Sequence, residues 1–114
     1  MAGSALLVAA PASAVDVERE SSGTCSSGAR WDFNVEREFG VVDIDFEIEN
    51  SPVNQRWTVR IEKNGTKILR TSVLADNEGD VEVSHLVRDA AGSDKFSVRA
   101  TSSAGQVCKA SLRI

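Results

Sequence analysis

VVDIDFEIE at Val41–Glu49 and RWTVRIE at Arg56–Glu62 are the stretches that decide the fold of this chain. Apolar and polar residues alternate along both of them. Because successive side chains of a strand point to opposite faces, each stretch predicts a strand with one apolar and one polar face. The polar positions are acidic in the first stretch and mostly basic in the second.

Five further segments predict strands and bring the total to seven. Four of them alternate from Trp31, Val81, Phe96 and Cys108, whereas Lys67–Leu74 has apolar residues on both parities. Asn64-Gly65 is a strong hairpin signal, and the six-residue loop Asn50–Gln55 is long enough to cross between sheets. No helical period of useful length is present. Short strands at regular spacing predict an all-β antiparallel sandwich, with every aromatic except Phe39 in its core.

The N-terminus has the features of a secretory signal. A short apolar run ends at the Ala12-Ser13-Ala14 cleavage pattern, and polar residues follow. We therefore predict a signal peptide at 1–14 that begins upstream of Met1, a flexible segment at 15–24 and a β-sandwich domain at 25–114. A disordered Ala-rich tail is the alternative. No later apolar run is long enough to span a bilayer, so we expect a secreted, extracellular protein.

Cys25 and Cys108 are the only cysteines of the chain. In an exported protein two cysteines normally pair, and closing so long a loop stabilises a fold by about 4–5 kcal/mol in the chain-entropy treatment. We predict a disulfide between them, with two free thiols as the alternative. One cysteine pair cannot supply the four ligands of a structural zinc site, and no cofactor is expected.

Two segments resemble fibronectin type III domains. The segment from Phe96 to Gly105 resembles their sixth strand and following turn, and the segment from Trp57 to Ile61 resembles their third strand. The whole chain also looks like small secreted β-domains of actinobacteria with one Cys near each end, for which no activity is assigned. The resemblance implies a fibronectin type III or immunoglobulin-like sandwich. The sequence departs from the antibody pattern, because its cysteines lie near the first and last strands and it contains no Tyr.

If the strands are allocated as in fibronectin type III domains, the charges separate by sheet. One outer face is then acidic, with Arg30 as its only base. It collects Asp32, Glu36, Asp43, Asp45, Glu47, Glu49, Asp80 and Glu82. The other collects the predicted binding residues Arg56, Arg60, Lys95, Arg99, Lys109 and Arg113, together with Lys67 or Arg70, against Glu62. In the alternative allocation, the two opening stretches are neighbours and their charges form ordinary surface ion pairs.

These features predict a non-enzymatic binding or structural module. Its basic face would engage an anionic cell-wall polymer or an acidic protein, and the domain itself would be a monomer. The net charge of -4, from thirteen Lys and Arg against seventeen Asp and Glu, argues against nucleic-acid binding. Head-to-tail association of the basic face with the acidic face of another copy is a variant of this prediction.

Two alternative functions stay open on the sequence. The first is calcium binding, for which the turn Asp76–Asp80 is a better candidate than carboxylates spaced along a flat strand. The second is a small secreted enzyme, which we do not expect. His85 is the sole histidine and has no visible nucleophile partner, and no phosphate loop or metal spacing is present. Asn64-Gly65-Thr66 also matches a glycosylation sequon, although the turn alone accounts for it.

Overall fold

The computed structural model describes residues 16–114 and shows an all-β protein. The predicted signal peptide therefore lies outside the described residues. None of the described residues forms a helix with the length and hydrophobicity that a membrane crossing needs. The strands are β1 (Val17–Thr24), β2 (Arg30–Glu38), β3 (Val41–Glu49), β4 (Arg56–Lys63), β5 (Thr66–Leu74), β6 (Val81–Arg88), β7 (Lys95–Ser102) and β8 (Val107–Arg113), with a 3₁₀ turn at Ser26–Gly28.

The strands form two four-stranded antiparallel sheets that pack as a β-sandwich. One sheet has the order β1-β2-β3-β6, and the other has the order β5-β4-β7-β8. The prediction of seven strands was wrong by one, because Val17–Thr24, predicted as part of a flexible segment, pairs along its whole length with β2. The predicted strands otherwise fall into the two expected sheets.

The core lies between the two sheets and is built from alternating positions of the strands. Its largest members are aromatic: Trp57, Phe33, Phe46 and Phe96 are fully buried, and Trp31 is nearly so. Phe33 and Phe46 are direct cross-strand partners on β2 and β3, and their rings meet edge to face with centroids 6.2 Å apart. The predicted aromatic core is confirmed, and Phe39 is 87% exposed at the β2–β3 turn.

The links between the two sheets include a crossing loop and a disulfide. The loop after β3 crosses from one sheet to the other, and its Ser51 Oγ accepts a hydrogen bond of 2.8 Å from the indole Nε1 of Trp57. The disulfide between Cys25, just after β1, and Cys108, on β8, joins the sheets at their opposite edge. Both cysteines are buried. The predicted pairing is therefore confirmed, and it closes 83 residues of sequence separation.

The strands with irregular patterns are explained by their partners. Between Ile61 and Glu62 the register of β4 against β5 shifts, so that apolar residues on both parities of β5 are partly buried. On β6 the alternation continues to the end of the strand. His85 lies opposite the buried Ile44 on the inner side, and Leu86 is 63% exposed on the outer side.

Candidate functional site

The charged residues on the outer surface of the β5-β4-β7-β8 sheet are basic with one exception, and we call this surface the basic face. All the predicted binding residues lie on it and are exposed, and Lys67 and Arg70 both join them. It comprises Arg56, Arg60, Lys67, Arg70, Lys95, Arg99, Lys109 and Arg113. Glu62 is the acidic exception, and its Oε2 lies 2.8 Å from Nε of Arg60.

A continuous row of cations crosses the basic face at right angles to the strands. Arg60 on β4 lies opposite Arg70 on one side and Arg99 on the other, and Arg99 lies opposite Lys109. Neighbouring strands are about 4.8 Å apart, so the row places four positive charges within roughly 15 Å. Like charges opposite one another are destabilising by a few tenths of a kcal/mol to about 1 kcal/mol per pair. The fold therefore holds this row at a cost in stability.

Part of the row lines a shallow depression of about 470 Å³ on the same face. Arg60, Arg70 and Arg99 contribute to its wall, as do the hydroxyl-bearing Thr58 and Thr101 one row away. Guanidinium groups offer several N–H donors in a planar fork that suits phosphate and carboxylate oxygens. The depression therefore combines positive charge with neutral hydrogen-bonding groups, a chemistry that suits an oxygen-rich anion.

The predicted residues divide between the middle and one end of the basic face. Arg56, Arg60 and Arg99 line the depression, and Lys109 extends the central row. Lys95 and Arg113 are cross-strand partners at the other end of β7 and β8. The structure thus places the predicted set on one surface, but the central row is its densest part.

The outer surface of the β1-β2-β3-β6 sheet has the opposite charge, and we call it the acidic face. Two carboxylate rows cross it: one joins Glu18, Glu36 and Asp43, and the other joins Asp32, Glu47 and Glu82. The acids on its outward positions are Glu18, Glu20, Asp32, Glu36, Glu38, Asp43, Asp45, Glu47, Glu49 and Glu82. The predicted separation of charge by sheet is therefore present in the structure.

Three carboxyl groups of the acidic face have pKa values above their ordinary range. Burial is the largest cause for Glu36, Asp43 and Glu47, and repulsion from neighbouring carboxylates adds to it. Among the neighbouring carboxylates, Asp45 contributes most to the raised pKa of Asp43. Glu49 and Glu82 contribute most to the raised pKa of Glu47. The repulsive contributions show that neighbouring carboxylates of this sheet act on one another.

Within the described range 16–114, two groups of carboxylates come close enough to share a cation. One is the predicted turn, in which Asp76, Glu78 and Asp80 have oxygens within 4.8 Å of one another. Oδ1 of Asp76 already accepts the backbone N–H groups of Glu78 and Asp80, both at 2.9 Å. Each group supplies three carboxylates, whereas calcium takes six to eight oxygens. Calcium binding at this turn stays a prediction.

The second carboxylate group was missed at the sequence level. Asp32, Glu47 and Glu49 converge across β2 and β3, although carboxylates along a strand were expected to diverge. The signal was the antiparallel register, which brings Asp32 of one strand opposite Glu47 of the next.

The acidic face holds one base that the sequence interpretation did not place there. Arg88 lies on the outer side of β6 opposite Val41, in addition to the expected Arg30. Sequence reasoning also missed Glu18 and Glu20, because their strand was expected to be a flexible segment. Asp80, which was assigned to this face, lies in the turn immediately before β6.

The sequon asparagine has a structural role in the described fold. Asn64 Nδ2 donates to Oδ1 of the buried Asp94, and Asn64 Oδ1 accepts the backbone N–H of Lys95, both at 2.8 Å. Asn64 has a positive φ of 51° at the β4–β5 turn, as expected for an Asn-Gly hairpin. These contacts support the interpretation of Asn64-Gly65 as a turn.

Comparison with known proteins gives no relative from which a role could be transferred. No protein-family model, curated protein or solved structure is significantly similar to this chain. The two charged faces are therefore interpreted from their geometry alone.

Proposed function

We propose that this domain is a secreted, non-enzymatic binding module that engages an anionic polymer or an acidic protein through its basic face. The cation row through Arg70, Arg60, Arg99 and Lys109 is the observation that carries the proposal. Assignment to the fibronectin type III or immunoglobulin-like class belongs to the same proposal. The division of the strands into two sheets supports it, and the buried disulfide is compatible with export.

The net charge of the chain does not prevent such binding. At about 0.1 M salt the Debye length is about 10 Å. The two sheets of a sandwich pack about 10 Å apart, and outward side chains add to that separation. An anion on the basic face is therefore largely screened from the acidic face, and it responds to the local positive charge.

A single cation of the face would contribute little alone, whereas an extended polyanion contacts several at once. Only Arg60 of the central row has an ion-pair partner among residues 16–114. The other cations of the row are free to replace water and counterions with ligand oxygens. Affinity should therefore fall steeply as salt rises, because the attraction is electrostatic and the sites are exposed.

The test is binding to sodium polyphosphate and to poly-glutamate, measured by calorimetry at about 0.05 M and about 0.3 M salt. We expect binding at the lower salt that weakens strongly at the higher. Arg60→Glu/Arg99→Glu should weaken the low-salt affinity at least about tenfold, which corresponds to about 1.4 kcal/mol.

The matched control is Arg30→Glu/Arg88→Glu, which changes the net charge equally but on the acidic face. It should bind within a factor of about two of the unaltered domain, because screening separates the faces. Equal losses in both variants would show that only net charge matters. Binding of neither polymer by the unaltered domain would overturn its engagement of anionic polymers.

A further inference from the structure

We propose that a second copy of this chain is a partner of the basic face, with the acidic face of that copy docking on it. The inference rests on the proposed function, since it uses the same basic face. It adds a binding role for the acidic face and a mode of assembly. One copy would offer its basic face to one neighbour and its acidic face to another. The contact is therefore heterologous and builds open linear oligomers, which we call strings.

The two faces match in size and in the spacing of their charges. Each is a four-stranded antiparallel sheet, so each displays side chains on the same lattice, with strands about 4.8 Å apart and outward residues about 6.6 Å apart. On that lattice the basic face has a row centred on Arg60 and Arg99, and the acidic face has a row centred on Asp32 and Glu47. Because the strand spacing is the same, the three carboxylates of the acidic row can be brought opposite three of the four cations of the basic row.

On each face, most charged side chains have no ion-pair partner among residues 16–114. Among residues 16–114, the two ion pairs are Arg60–Glu62 on the basic face and Arg37–Asp89, which lies away from both rows. On the acidic face, burial raises the pKa of Glu47 and repulsion from Glu49 and Glu82 adds to it, so added positive charge would relieve an existing repulsion. Apposing the faces would supply each with the counter-charge that the domain itself does not.

Apolar side chains within the two charged faces favour contact rather than full hydration. Leu86 is 63% exposed beside Asp43 on the acidic face, and Leu74 is 50% exposed beside Arg56 on the basic face. Burying them would add a short-range hydrophobic contribution to a long-range electrostatic one. The charges would then orient the copies, and the leucines would favour close approach.

The size of the faces sets the strength of the contact. Four strands of about eight residues cover roughly 500 Å² on each partner, which belongs to the class of weak or transient interfaces. We therefore expect monomers at moderate salt and strings at low salt and high protein concentration, since the attraction is screened by salt.

The decisive experiment uses two complementary variants in sedimentation velocity at about 0.02 M and about 0.5 M salt. Arg60→Glu/Arg99→Glu removes the basic surface, and Asp43→Lys/Glu47→Lys removes the acidic surface. The unaltered domain should form a concentration-dependent series of species at low salt and only monomers at high salt. Each variant alone should be monomeric, and their equimolar mixture should form heterodimers and nothing larger, since each brings one intact face.

Two controls separate the faces from net charge and from folding. Arg19→Glu/Lys63→Glu matches the net charge of the first variant, and Asn77→Lys/Glu78→Lys/Ser93→Lys matches that of the second, all at positions outside the two charged faces. Both leave the proposed contact intact, so both should still associate. Circular dichroism and thermal unfolding establish that each variant is folded. If a reversed variant is unfolded, Arg99→Gln and Glu47→Gln replace it and should each weaken association at least about threefold.

The outcomes distinguish this inference from the proposed function. A monomeric unaltered domain at low salt, or a mixture without heterodimers, overturns self-association whatever the polymer data show. If polyphosphate binds while the domain stays monomeric, the basic face acts only on other partners. If strings form but neither polymer binds, self-association stands and the polymer proposal fails. If both hold, polyphosphate should dissolve the strings by competing for the basic face.

Discussion

The acidic sheet and the basic sheet share one internal design and differ almost entirely outside. Both have four antiparallel strands, and both bury alternate apolar residues against the other sheet. Outside, β2 and β3 oppose carboxylates, whereas β4 and β7 oppose guanidinium groups. The apolar inner positions therefore specify the packing of the two sheets, and the outward charges take no part in the core.

The two sheets also handle their like charges differently. On the basic face, Arg60 pairs with Glu62 along its own strand. On the acidic face, neutral donors assist the carboxylates: Asn34 donates to Glu18 at 2.7 Å, and Ser84 donates to Asp45. A hydroxyl or an amide stabilises a carboxylate without neutralising it. Neither contact brings a positive charge to the acidic sheet.

The link between the two sheets at the β1–β8 edge carries the largest expected effect. We expect Cys25→Ala/Cys108→Ala to lower the free energy of unfolding by about 4 kcal/mol, because the disulfide restricts the unfolded chain over a long loop. Urea unfolding of the oxidised protein and of the variant measures the difference. Protein kept reduced by a thiol reductant should match the variant, because both thiols are small and buried. An unchanged urea midpoint would mean that the edge is held by packing alone.

The link at the other end of the sheets depends on Gly79, which has a φ of +78° and no room for a side chain. A Cβ there would lie 2.4 Å from the backbone oxygen of Ser51, in the loop that crosses between the sheets. Gly92, with a φ of +96°, is in open space. Gly92→Ala should cost about 1–2 kcal/mol for the left-handed backbone alone, and Gly79→Ala should exceed it by about 1–3 kcal/mol for overpacking.

Thermal and urea unfolding of the two glycine variants provide the measurement. Equal losses would contradict the clash, and they would show that the crossing loop shifts freely without disturbing either sheet.

The sequence predicted the strands whose inward positions are apolar, but it did not predict β1. Of the four inward positions of β1, only Val17 at the start of the strand is apolar; Arg19, Ser21 and Gly23 bring no hydrophobic side chain to the core. Gly23 has a packing reason, since a Cβ there would come within 2.7 Å of the Trp31 ring. A strand that makes room for an indole ring and carries a charge at its edge lacks the alternation by which strands are recognised.

The charge of each face could be predicted, but the rows within it could not. Parity along single strands assigned Arg60 and Arg99 to one surface correctly. Their direct opposition, and that of Arg60 with Arg70, depends on cross-strand register. A bulge then places Lys67 opposite Glu62. Bulges and register are set by tertiary packing, so a single sequence does not reveal them.

The carboxyl groups of the acidic sheet should destabilise the fold less as the pH falls. Burial and neighbouring carboxylates raise the pKa of Asp43 and Glu47 in the folded state above the ordinary values of 3.8 and 4.5. Between the unfolded and folded pKa values the folded protein binds more protons, so their destabilising effect is full at neutral pH and is lost on acidification through this interval. We expect Asp43→Asn to stabilise by a few tenths of a kcal/mol to about 1 kcal/mol at pH 7, and by less at pH 4.

Urea unfolding of the unaltered domain and of Asp43→Asn at both pH values isolates this group from the other titrating side chains, because their contributions cancel in the difference. Ser84→Ala, which removes a donor from Asp45, should change stability in the opposite direction. If Asp43→Asn stabilises the domain more at pH 4 than at pH 7, the predicted direction of the pH dependence is wrong.

The smallest expected effects come from replacing one arginine by glutamine on each face. Arg99 lies between Arg60 and Lys109, whereas Arg30 lies opposite Glu49 on the acidic face. Arg99→Gln should therefore stabilise the domain and Arg30→Gln should destabilise it, each by a few tenths of a kcal/mol at low salt. Both differences should shrink at about 0.5 M salt, because exposed charges are screened. Urea unfolding at the two salt concentrations measures them, and effects of the same sign would mean that loss of arginine packing outweighs the field of either sheet.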